Sequence, residues 1–501
     1  MPSGKSLAGA SLFLLTAFLP TFILAVPTQV SVSGRKLLVN SQPYTVQGVA
    51  YSPYPVGTTA GSNSSGCTGP YFWWADRPTY IADFPLIKKM GANTIRAYGI
   101  LNDTSANTVL QVRAALDAAH AQGLYVIMNF YPSHTVPIAP NAAAWQAQFL
   151  DAVNAYKDHP AVLIWEFGNE QNLDNGQDPA WYTLVNSAAG AAKGMDPDHP
   201  IMTVDGECSA GCPNSPLTFS IGYAVRGALD TNVSNLDIWG INVYRGPTFQ
   251  GAFQFLASTT TKPILVTEFG KDAWHDSVGV EDQAMQADHV RSLWQEISAN
   301  LSATGTGSQA LAGGVVFEWS DEWWKDPTND CLTHGTQPKF SVSADTVDPN
   351  YQDEWFGLNA VSPVDAVANP GGTNRVQRQS YATMQTFWNP TAVQGTGTAA
   401  ASFFSDTVRN YPNPFQLGPG STKFVVLTNE AGTVDIRIYD AGGQFVTSFS
   451  RTVTGAGRSE VVWDGHNSQG SLVSSGLYIA RVHGHSTAHD ETQYRRVVGV
   501  K

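Results

Sequence analysis

The sequence predicts a parallel (β/α)8 barrel followed by a small all-β sandwich. Two observations carry this. From Val30 to about Trp388 an apolar, strand-like run recurs eight times, followed by a loop and, in several cases, a helix-like stretch. Beyond Trp388 the apolar period shortens to two, the spacing at which a strand shows one face to a core.

The eight runs are "YTVQGVAYS" (44–52), "ANTIRAYGI" (92–100), "LYVIMNFY" (124–131), "AVLIWEFGNE" (161–170), "PIMTVDGE" (200–207), "LDIWGINVY" (236–244), "PILVTEFG" (263–270) and "GGVVFEWS" (313–320). Helical stretches such as "TVLQVRAALDAAHAQG" and "EDQAMQADHVRSLWQEISANL" lie between them. Eight such units in roughly 350 residues fit one barrel with insertions. A doubly wound open sheet would alternate similarly, but no glycine-rich phosphate-binding turn follows the first strand. The stretch "NPTAVQGTGTAAAS" reads as a linker. The segments "STKFVVLTN", "TVDIRIYDAGGQFVTSFSR", "RSEVVWDG", "GLYIARVHG" and "ETQYRRVVGVK" then read as short alternating strands. The expected organisation is a signal peptide over 1–25, a barrel over 26–388, a linker over 389–404 and a sandwich over 405–501.

The signal peptide rests on one lysine followed by an apolar run from Leu7 to about Ala25, with an uncleaved anchor as the rival. No later run is long enough to span a bilayer. Export with four cysteines (Cys67, Cys208, Cys212, Cys331) suggests disulfides of open connectivity. Zinc at these positions is disfavoured because no histidine stands at ligand spacing beside them; neither a metal nor a cofactor is expected.

Charge narrows the partners. The 501 residues carry 28 Lys+Arg and 41 Asp+Glu, a net −13. From Asp406 onward the counts are 9 and 8; the remainder holds 19 against 33. An acidic body without a basic stripe argues against nucleic acid and anionic membranes and suits a neutral ligand. Fourteen tryptophans are many; most should pack the core, while a few could stack on flat apolar faces such as those of sugars.

Two glutamates sit in one apolar run, "IWEFGNE", and a third in "VTEFG". Barrel chemistry belongs at the C-terminal ends of strands, where Glu170 (strand four) and Glu268 (strand seven) fall. Glu166 shares a face with Glu170 but lies one layer deeper. It reads as a buried partner of Arg96 or of a neighbouring polar group. Two carboxyl groups across one barrel mouth are what glycosidic cleavage needs: one protonated to donate, one charged to attack. Arg96, on strand two, would keep Glu268 ionised, while Glu170 has no evident cation and can hold a proton. Tyr51, Tyr54, Trp73, Trp74, Trp319, Trp323 and Trp324 fall in loops one and eight on the same face. Asp321 and Glu322 read as a solvated loop, with a sugar hydroxyl or a cation as the other possibility.

These motifs resemble the large clan of retaining (β/α)8 glycoside hydrolases. Within it, "VSVSGRKLLVNSQPYTVQGVAY", "DFPLIKKMGANTIRAYGI", "GNE", "WGINVY" and "TEFG" resemble the β-1,3-glucanosyltransferases of fungal walls, over residues 30 to about 272. The resemblance implies Glu170 as acid/base, Glu268 as nucleophile, Asn169 at the sugar 2-hydroxyl, and Tyr98 and Tyr244 orienting sugar and nucleophile; Tyr51, from the aromatic group of loop one, is expected as a further sugar contact. Ser52 stands where that family usually has Gln, and Tyr80 and Lys271 where it usually has Cys. The eighth strand, "FEWSDEWWKD", resembles other families of the clan, in which Trp319 would floor the sugar subsite. The implied substrate is a β-glucan-like polysaccharide or oligosaccharide, with endo-β-mannanase or cellulase-type hydrolysis as the alternative and an inactive glycan-binding barrel as a third. The tail ("YPNPF", "YDAGGQFV", "WDGHNSQG", "SSGLYIARV") resembles Ig-like domains related to the flagellar hook-capping protein and the sorting domains of a bacterial outer-membrane secretion route. That implies export or attachment through secretion machinery, with a secreted or cell-surface bacterial location.

Overall fold

A computed structural model describes residues 27–501 apart from 62–66, 134–135, 174–178, 208–218, 327, 329, 363–373, 390–402, 405–407, 442–443, 456 and 487–488 and the side chain of Asp490. The expected signal peptide, most of the expected linker, and Cys208 and Cys212 therefore lie outside the described residues.

Eight strands close into a barrel: β1 (Val46–Tyr51), β2 (Thr94–Ala97), β3 (Tyr125–Phe130), β4 (Val162–Asn169), β5 (Ile201–Asp205), β6 (Ile238–Asn242), β7 (Ile264–Phe269) and β8 (Leu311–Val316). Every neighbouring pair is parallel, β6 pairs with β7, and β8 returns to β1. Residues of these strands are buried almost throughout, which is why they read as continuous apolar runs rather than alternating ones. In β4, Trp165 and Phe167 face the helices: Phe167 stacks on Trp181 at 5.4 Å and meets Phe149 at 5.0 Å. Glu166, between them, faces the barrel axis.

The expected eighth strand, 313–320, lies elsewhere by a few residues. β8 begins at Leu311 and ends at Val316. Gly313 and Gly314 do not break it. A Cβ on Gly313 would come within 2.2 Å of the Val46 carbonyl oxygen, so glycine lets β8 run close against β1. Glu318, Trp319 and Ser320 consequently belong to the loop beyond the strand.

That loop is tied down on several sides. Cys67 and Cys331 form a disulfide joining the segments after β1 and β8. Arg378 grips Asp321 with two nitrogens, at 2.6 and 2.7 Å. Asp321 and Glu322 are thus buried, not a solvated loop as the sequence suggested. The two positions that depart from the fungal pattern have partners of their own. Tyr80 stacks on Phe84 at 5.6 Å, and the buried Lys271 ammonium sits 3.0 Å from both Asp272 and Asp348.

The chain divides into two compact units between Pro390 and Thr391. The second is a β-sandwich. One sheet holds Arg409–Tyr411, Thr422–Thr428 and Gly457–Trp463; the other holds Phe415–Gln416, Asp490–Val500, Gly476–His485, Ala431–Asp440 and Phe445–Thr454. Val434, Ile436 and Ile438 point inward with Phe424, Val426, Trp463 and Val482. Asp435 and Arg437, one step out of phase, face away.

Candidate active site

The ends of β2, β4, β6 and β7 bring one polar constellation together. Arg96 is fully buried and spends every guanidinium nitrogen. Nε and Nη2 donate to the two oxygens of Glu166 at 2.8 and 2.6 Å, Nη2 donates to Asn169 Oδ1 at 2.6 Å, and Nη1 donates to Glu268 Oε1 at 2.8 Å. Glu166 also accepts from Asn129 Nδ2 at 2.7 Å. A charge this deep is tolerable only because it is paired and hydrogen-bonded on all sides.

Glu268 accepts at both oxygens: Tyr98 Oη donates to Oε1 at 2.7 Å and Tyr244 Oη to Oε2 at 2.9 Å. Among the described residues, the only donor to the Glu170 carboxyl group is the neutral amide of Asn242, at 2.8 Å. Asn242 is held in turn by Thr267, whose hydroxyl donates to Asn242 Oδ1 at 2.8 Å. Loss of water around Glu170, and secondarily the negative charge of Glu268, push its pKa up to about 7. Glu170 also holds a left-handed backbone, φ +54°, unusual for a residue with a side chain. Gly206 gives it room, since a Cβ there would lie 2.9 Å from Glu170 Oε1.

Six of the eight residues singled out from the sequence therefore meet here: Arg96, Tyr98, Asn169, Glu170, Tyr244 and Glu268. Tyr51 and Trp319 do not. Both are fully buried. The Tyr51 hydroxyl donates to Asp83 at 3.0 Å, and its ring packs edge-on against Trp73 at 4.9 Å. Trp319 packs against Tyr381 at 6.2 Å. A ring enclosed on both faces has none to offer a sugar. The aromatic at the end of β8 that reaches the constellation is Phe317, edge-on to Tyr244 at 6.3 Å. Trp73 and Trp74 are buried as well, whereas Tyr54, Trp323 and Trp324 remain half-exposed.

Residues 51–300 match the cellulase (glycosyl hydrolase family 5) model. The chain carries a family 5 glycosyl hydrolase domain. Residues 415–488 match the FlgD Ig-like domain, so the C-terminal unit is Ig-like. A 1,3-beta-glucanosyltransferase, gas2, of Schizosaccharomyces pombe is 22% identical over 315 residues, covering 58% of this chain and 60% of that protein. A probable mannan endo-1,4-beta-mannosidase F of Emericella nidulans is 22% identical over 203 residues, covering 38% and 41%. The chain thus spans less than two thirds of the length of these relatives. A Bacteroides Uniformis beta-glucuronidase structure aligns over 94% of this chain and 48% of that one, at 14% identity and a TM-score of 0.48, too loose a likeness to bear on function.

Three residues of the family 5 domain's constellation were not singled out from the sequence: Asn129, Asn242 and Thr267. The signal was available. Asn129 in "VIMNFY" and Asn242 in "WGINVY" are polar side chains in apolar strands, the same anomaly that drew attention to Glu166. No helix among the described residues is long and apolar enough to cross a membrane.

Proposed function

We propose that this protein is a secreted glycosidase or transglycosylase that retains anomeric configuration and acts on a β-glucan-like polysaccharide by double displacement. Glu268 attacks the anomeric carbon while Glu170 protonates the departing oxygen. Glu170 then takes a proton from the incoming water or sugar hydroxyl, and the glycosyl–Glu268 bond breaks. The observation that carries this reading is the unequal treatment of the two carboxyl groups. Glu268 faces a guanidinium and two phenol hydroxyls, whereas Glu170 faces a neutral amide and holds its proton to about pH 7. Pairs of acids with environments driven apart mark acid and nucleophile roles. Asn169, fixed by Arg96, is suited to the sugar 2-hydroxyl. Secretion rests on the apolar N-terminal run, and export or attachment through the Ig-like unit rests on its resemblance to sorting domains.

The mannosidase relatives favour a second reading, endo-hydrolysis of a β-mannan. Incubation with β-1,3-glucan, β-1,4-glucan and β-1,4-mannan oligosaccharides of defined length, with products sized, separates the two. Products longer than the β-glucan substrate support transfer. Only shorter products from mannan support the second reading. Binding without any product would sink both.

A further inference from the structure

The outer face of the five-stranded sheet carries a grouping unrelated to the barrel chemistry. Asp435 on strand Ala431–Asp440 pairs directly with His483 on strand Gly476–His485, and Thr433 pairs with His485. Residues two apart on a strand share a face, so Asp435, His483 and His485 project together. Their ring and carboxyl ligand atoms all lie within 4.8 Å of one another. The two imidazoles stack at 5.0 Å, and His485 Nε2 is 3.1 Å from Asp435 Oδ2. Among the described residues this is the one trio of His, Cys, Asp or Glu side chains gathered this closely.

We propose that Asp435, His483 and His485 form a binding site for a borderline divalent metal ion such as zinc. The donor set is two imidazole nitrogens and one carboxylate oxygen. That mixture suits zinc, cobalt, nickel or copper, and it does not suit calcium or magnesium, which require a fuller shell of oxygens. Zinc–ligand bonds of about 2.0–2.1 Å place tetrahedral ligands roughly 3.3 Å apart. The present cluster closes to that spacing through side-chain rotation alone, because His485 and Asp435 are half-exposed (40% and 36%) and sit on a paired, regular ladder. Binding requires a lone pair on His485 Nε2, so the neutral ring carries its proton on Nδ1, and the hydrogen bond between His485 and Asp435 is replaced by the two metal bonds. Three protein ligands leave a fourth position open to water or to a donor from another molecule. Arg437 and Arg481, paired one step further along the same face, mark the cationic edge of the site. The site joins two adjacent strands of the sheet, and an ion there would clamp them.

Calorimetric titration of the metal-free full-length chain with zinc chloride tests this, with calcium chloride as the contrast. The expected result is one zinc ion per chain, no calcium, and an affinity reduced by about tenfold or more in each of Asp435→Asn, His483→Gln and His485→Gln. His466→Gln, at a histidine paired with Asp464 away from the trio, should bind as the native chain does. These are outward-facing substitutions, and circular dichroism would verify that the variants keep their fold. No zinc uptake by the native chain, or undiminished uptake by the His483→Gln/His485→Gln double variant, would overturn the proposal.

Discussion

Nη1 of Arg96 lies 2.8 Å from Oε1 of Glu268, while the remaining nitrogens of the same guanidinium are held by Glu166 and Asn169. Arg96 cannot swing toward Glu170 without breaking a buried ion pair. The asymmetry between the two candidate catalytic carboxyl groups is therefore built into the barrel interior, beneath the residues that would touch substrate.

Glu170→Gln and Glu268→Gln should fail differently. Removing a general acid costs about 10²–10⁴-fold on a substrate with a poor leaving group. An activated aryl glycoside needs little protonation, so Glu170→Gln should retain far more of its first step on that substrate. Glu268→Gln should be inactive on both, because no covalent intermediate can form. Equal losses for Glu170→Gln on the aryl glycoside and on polysaccharide would reverse the assignment.

Glu170 also sets a pH dependence. With its pKa raised from 4.5 to about 7, it is protonated, and competent as an acid, below about pH 7. The rate constant kcat/KM should fall as pH rises through that value, and Glu170→Gln should lose this alkaline limb. Stability carries the same sign. The folded state holds this proton more tightly than the unfolded chain, so the group's contribution is present below pH 4.5 and is lost as pH rises toward about 7. Urea midpoints of Glu170→Gln should gain on those of the native chain across that window and level off above it.

Glu166→Gln should act on stability first. It leaves the fully buried Arg96 without its bidentate carboxylate. Removing one partner of a buried pair costs roughly 3–5 kcal/mol. A lower urea midpoint with an unchanged alkaline limb is the expected pattern; a native midpoint would mean that Glu268 and Asn169 suffice to hold Arg96.

Ending the chain at Asn389 should leave turnover on short oligosaccharides intact. The barrel unit has its own core, and the constellation draws only on residues from Arg96 to Glu268. A truncated protein that folds but loses turnover would place part of the site in the Ig-like unit.

The legible parts of this molecule were those fixed by short-range pattern. Eight apolar runs gave a barrel, and carboxylates at the ends of β4 and β7 stood out because apolar strands tolerate few charges. What escaped depended on distant partners. Asp321 reads as solvated until Arg378 arrives from 57 residues downstream. Trp319 reads as a sugar platform, but β8 ends at Val316, Phe317 lies against Tyr244, and Trp319 is buried against Tyr381. Asn242 stands out in "WGINVY" as a polar side chain in an apolar strand, but its neighbours in sequence do not reveal that its partner is Glu170.

The most direct test is to trap the covalent intermediate. A 2-deoxy-2-fluoro β-glycoside with a good leaving group slows breakdown of the glycosyl-enzyme, and peptide mass mapping then locates the sugar. The account predicts one sugar per chain, attached to Glu268 within "VTEFG", with release by added acceptor sugar. A label on Glu170, or turnover of the parent glycoside with inverted configuration and no label, would contradict it.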